Sequence, residues 1–103
     1  MKHAGPRTFA LIPGLLEELR ARTALREKRP GIFYLKSHAF LHFHDDPEGI
    51  FADVRLANEF VRLPVTSHAE QCDLLERIDD YLSTIESRSS SRHRQQSRRS
   101  DRH

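Results

Sequence analysis

The stretch AFLHFHDDPEGIFADVRL, Ala39 to Leu56, does most to limit what this chain can fold into. Two runs of alternating side chains flank D-D-P-E-G. Alternation on both sides of such turn chemistry predicts an antiparallel hairpin. A similar run, GIFYLK, precedes it and another, FVRLPV, follows it, separated by SH and ANE. Connections this short join neighbouring antiparallel strands, so the four runs read as a meander.

Side chains alternate across a strand, and each run therefore divides into two sets. One set is apolar: Phe33, Leu35, Leu41, Phe43, Ala52, Val54, Leu56, Val61, Leu63 and Val65. It predicts the core face. The other set is mixed: Tyr34, Lys36, Phe40, His42, His44, Phe51, Asp53, Arg55 and Arg62, with Phe60 at the turn. Pairing like faces puts His42 opposite Asp53 and His44 opposite Phe51.

Helices are expected at both ends. Ile12, Leu15, Leu16 and Leu19 recur at helical spacing, with Pro13 suited to a first turn, and this helix should stop near Thr23. The pattern assigns Ala24 to Lys28 to neither class. Ser67 and Glu70 form a capping box ahead of Leu74, Leu75, Ile78, Leu82 and Ile85, predicting a helix from His68 to about Glu86. The fold class is α+β: a four-stranded antiparallel meander with an N-terminal and a C-terminal amphipathic helix on one face.

Charge divides the chain. Six of the 17 basic and one of the 15 acidic side chains lie in residues 87–103, leaving 11 against 14 for residues 1–86. The basic pI belongs to the tail. That tail, SRSSSRHRQQSRRSDRH, has nothing to bury and is expected to be disordered, leaving one α+β domain over residues 1–86. Arg88, Arg92, Arg94, Arg98 and Arg99 could hold nucleic acid there through phosphate contacts.

A single cysteine, Cys72, allows no intrachain disulfide and no thiolate cluster. No apolar run reaches the ~20 residues of a membrane span. These features suggest a cytoplasmic protein with no membrane partner. The four glycines fit no phosphate-binding loop.

The mixed face poses the functional question. A solvated sheet face carries Thr, Lys, Glu and Ser; one carrying Phe, Tyr, His, Asp and Arg looks made to be covered. The N-terminal helix or the Arg20–Arg29 segment could fold over it. Otherwise Tyr34, Phe40, His42, His44, Phe51, Asp53, Arg55 and Arg62 form a face for a protein partner, a small ligand or a second copy of the chain. His42 and His44, two residues apart on a strand, could share a metal ion such as zinc with Asp53. Asp45 and Asp46 are better read as turn residues. His42 facing Asp53 also has the form of an oriented general base, although no nucleophile is placed beside it. The reading is a non-enzymatic binding or interaction module with no obligate cofactor. The alternatives are a metal-dependent or histidine-based small enzyme on the same face, and nucleic-acid binding through the tail.

The order of a short amphipathic helix, GIFYLK, AFLHFHDD, FADVR and the Ser67–Glu70 cap is similar to that of small bacterial proteins of the MmcQ/YjbR-like group. Over residues 12–85 the resemblance implies a small α+β domain and, by fold, a link to DNA-binding proteins. It carries over no functional residue.

Overall fold

A computed structural model describes the backbone of residues 2–101 and the side chains of residues 4–86. The elements run β1 (Lys2–His3), α1 (Pro6–Phe9), α2 (Pro13–Ala21), β2 (Leu25–Arg29), β3 (Ile32–Leu35), β4 (His38–Asp46), β5 (Gly49–Leu56), β6 (Glu59–Pro64) and α3 (His68–Asp101). The fold is α+β. Strands β2 to β6 form an antiparallel meander in chain order, and β1 pairs with β4.

The β4–β5 hairpin has the expected register, with His42 opposite Asp53 and His44 opposite Phe51. Its turn is held by the Asp46 carboxylate, which accepts the Glu48 N–H at 3.1 Å. Asp45 is fixed elsewhere, accepting from the Thr8 hydroxyl of α1 at 3.2 Å. Both aspartates are thus the last residues of β4 rather than part of the turn, which is Pro47–Glu48.

The meander has five strands rather than four. The extra one, β2, is the charged run LREKR, whose lack of apolar alternation conceals it. Pro30 and Gly31 fold it back on β3 as a hairpin, with Gly31 at φ +76°. A Cβ there would meet the Phe9 ring at 2.3 Å, so glycine meets two demands at once. Charged side chains suit an edge strand because they discourage further pairing. The Arg20–Arg29 segment, one candidate to fold over the sheet, thus extends it sideways instead. The N-terminal residues do likewise: β1 continues the edge of β4 beyond the reach of β3, setting His3 opposite His44.

The core lies on one face. Phe33, Leu41, Phe43, Ala52 and Val54 meet Ile12, Leu15, Leu16 and Leu19 from the α2 side and Leu74 and Ile78 from α3. Each of these side chains other than Ala52 contributes about 1.5–3 kcal/mol through burial. Pro13 stands in the first turn of α2, as expected. The capping box also forms. The Ser67 hydroxyl accepts the Glu70 N–H at 3.1 Å, while the Glu70 carboxylate accepts the Ser67 and Thr66 N–H groups at 2.9 and 3.0 Å. Arg22 ties α2 to α3 with two bonds to Asp79, 2.7 and 2.8 Å. The backbone of α3 is helical to Asp101, past the expected end at Glu86. No Pro or Gly follows to stop it, and Arg and Gln favour helix. The expected disordered tail, residues 87–103, lies outside the side chains described, and so do its candidate arginines Arg88, Arg92, Arg94, Arg98 and Arg99.

One expectation about the faces fails. Phe40 was assigned to the open face, yet it is only 2% exposed. Phe33 pairs with Leu41 but Tyr34 pairs with Ala39, which leaves Phe40 as the extra residue of a β-bulge. The bulge resets the alternation, and Phe40 and Leu41 both enter the core. Phe40 stacks on Tyr81 of α3.

Candidate functional site

Strand β4 presents His42 and His44 on the face opposite the core, and β5 presents Asp53 beside them. All three are held by backbone pairing on two central strands, so little freedom remains in how their side chains approach one another. The His44 Nε2 lies 2.9 Å from Asp53 Oδ2, and the His42 Nε2 lies 3.4 Å from the same oxygen. The closer histidine is the diagonal neighbour, not the one directly opposite, as the right-handed twist of a strand pair permits. The two imidazoles meet edge to face, 4.9 Å between centroids.

Arg62, opposite Asp53 on β6, closes the arrangement. Its Nε donates to Asp53 Oδ1 at 2.8 Å and its Nη2 to Oδ2 at 2.9 Å. The guanidinium's hydrogen bonds hold the Asp53 carboxyl below its ordinary range, burial opposes that shift, and the His44 bond adds to it. Asp53 is therefore a carboxylate at neutral pH. It is also well sheltered, with side-chain exposure of 13%, equal to that of His44 and half that of His42 at 28%.

Phe60 stands edge-on to His42 at 5.7 Å, and the Arg55 guanidinium lies 5.8 Å over the Phe60 ring. Phe60 is 45% exposed, a large apolar side chain left at the border of the cluster. On the other side a cavity of about 290 Å³ opens next to His42, with Phe9, Pro30, Ile32 and Phe43 in its walls.

Of the eight residues expected on this face, His42, His44, Asp53 and Arg62 converge. Phe51 and Arg55 flank them through their register with His44 and Phe60. Tyr34 sits toward the β2 edge under the Lys28 ammonium, 4.5 Å from its ring centroid. Phe40 is absent from the face for the reason given above. The Arg62 clamp was legible only as an arginine of the right parity. Cys72 lies in the first turns of α3. It is exposed, with His68 one helical turn earlier and its Sγ 3.5 Å from the His68 Nε2.

Three donor atoms, one from each of His42, His44 and Asp53, lie within 4.8 Å of one another. Tetrahedral bonds of 2.0–2.1 Å require donors about 3.3 Å apart. The two nitrogen–oxygen separations, 2.9 and 3.4 Å, bracket that value. Such a set can hold a divalent cation with a coordination position left open, or it can hold protons in a self-satisfied hydrogen-bonded cluster. Ser67 caps α3, and Cys72 faces His68, so neither stands beside the cluster. Comparison with known protein families, curated proteins and solved structures finds no match. Among the described residues no helix is long and apolar enough to cross a membrane.

Proposed function

We propose that this chain is a small non-enzymatic binding module, and that the ligand on its open sheet face is a divalent transition-metal ion of the zinc class. The observation that supports this most is the convergence of both imidazole Nε2 atoms on one oxygen of Asp53, at spacings close to those between the ligands of such an ion. Imidazole and carboxylate together suit zinc and its neighbours in the first transition row better than calcium or magnesium. Arg62 has a definable part. Its Nε bond to Oδ1 orients the carboxylate while Oδ2 turns toward the cation, which is how outer partners commonly hold a ligating group. The guanidinium also competes for Oδ2, so affinity should be moderate.

Elemental analysis of the full chain purified without a histidine tag tests this reading. Stoichiometric metal in the wild type, lost in His42→Ala/His44→Ala, supports it. A metal-free wild type after growth in zinc-replete medium contradicts it.

A second reading has its own observation in Phe60, the exposed ring beside Arg55 at the border of the cluster. A second copy of the chain, or another protein, would cover it.

A further inference from the structure

At the opposite end of β4 three irregular features meet around one cavity. The first is the bulge that turns Phe40 away from its expected face. The others are the corners of two tight hairpin turns, Lys36 between β3 and β4 and Ala57 between β5 and β6. Both hold positive φ, +60° and +65°, without being glycine. Non-glycine residues in that region are strained, and such strain gathers where a ligand is handled. Bulges gather in the same places.

All three line a cavity of about 400 Å³. That volume falls within the range of small-molecule sites. Its apolar wall consists of Leu35, Phe40, Tyr81 and Ile85, with the Phe40 and Tyr81 rings 13° from parallel. Its polar rim consists of Lys36, His38, Arg55 and Asn58, and among the described residues no acidic side chain lines it. Among the described residues neither Lys36 nor Arg55 has an ion-pair partner, and each therefore keeps its full charge at the cavity mouth. Two uncompensated cations at the mouth of an apolar cavity create a positive potential there.

We propose that this cavity binds an amphipathic carboxylate: one anionic head between Lys36 and Arg55, and an unbranched or aromatic apolar body against Phe40, Tyr81 and Ile85. The site meets the His42–His44–Asp53 cluster only through Arg55, whose guanidinium also lies over Phe60, and it does not depend on the metal. Lys36 is exposed at its turn and Arg55 half-buried, so exchanging either leaves the core intact. The Asn58 side chain offers a further hydrogen-bond donor to the head.

The test is an amide NMR titration of the full chain at neutral pH and low salt. The probe is sodium octanoate, with octan-1-ol as the uncharged probe of equal length. Octanoate should bind saturably, shift the amides of Lys36, Ala57 and Asn58 most, and bind about tenfold or more tightly than octan-1-ol, because charge-assisted hydrogen bonds hold its head. Lys36→Gln/Arg55→Gln should erase that preference while leaving the spectrum dispersed. Should the double exchange disturb the fold, Lys36→Gln alone should still narrow the preference. Equal affinity for the two probes overturns the proposal. So do shifts centred elsewhere, a preference unchanged by the substitutions, or no octanoate binding.

Discussion

Phe40 and Tyr81 stack with ring centroids 6.1 Å apart and planes 13° from parallel. The contact joins the sheet to α3 and exists because a bulge removes Phe40 from the face that alternation gives it. Phe40 is thus a core residue. Phe40→Ala should cost about 3–5 kcal/mol, the usual cost of truncating a buried phenylalanine. Urea unfolding followed by circular dichroism measures it. A loss below about 1 kcal/mol would show the ring to be dispensable to the core.

The turn at Ala57 offers a change of opposite sign. Its φ of +65° is strained for alanine and open to glycine. Ala57→Gly should leave the fold intact and raise stability, by about 1 kcal/mol on the scale of left-handed strain, less the greater freedom that glycine gives the unfolded chain. The midpoint of urea unfolding should move up at constant slope. A downward shift would mean that the turn is relaxed as it stands.

Asp53 makes a prediction in pH. Its folded-state pKa is depressed, chiefly by Arg62 and then by His44, so the folded state binds its proton less readily than the unfolded chain does. The stabilising contribution is fully present above the ordinary carboxylate pKa and is lost as pH falls through the lower, folded value. Wild-type stability should therefore decline below about pH 4, the ordinary range of an aspartate. Asp53→Asn should be less stable at neutral pH and show a shallower acid decline. Parallel acid titrations of the two proteins would contradict the assignment.

Self-association has to be tested at Phe60, since Phe40 is covered. A homodimer across the open face would be broken by Phe60→Asp without unfolding, because Phe60 is already 45% exposed. Analytical ultracentrifugation of wild type and variant decides. A wild-type monomer at high concentration removes the dimer, and a dimer unaffected by Phe60→Asp places the contact elsewhere.

Much of this was legible in the residues. The alternation on both sides of DDPEG set the β4–β5 register, and with it the approach of His42 and His44 to Asp53. Pro13 and the Ser67–Glu70 pair marked where two helices begin. What stayed hidden was structure carried by pairing rather than by local pattern. The LREKR run of β2 is charged after Leu25, and only its partner strand makes it a strand. The two residues of β1 are too few to show a period. A bulge leaves no mark in composition, so the parity of Phe40 could not be read in advance. The Arg62 clamp depended on β6 pairing in one particular register, which FVRLPV alone leaves open by two residues.

Calorimetric titration of zinc into the untagged full chain, beside His42→Ala/His44→Ala, tests the central claim most directly. The wild type should take up one zinc per chain, held through both imidazoles and the Asp53 carboxylate. The double variant should show no saturable heat. Zinc binding of equal stoichiometry and affinity in both proteins, or none in the wild type, would contradict a metal site at His42, His44 and Asp53.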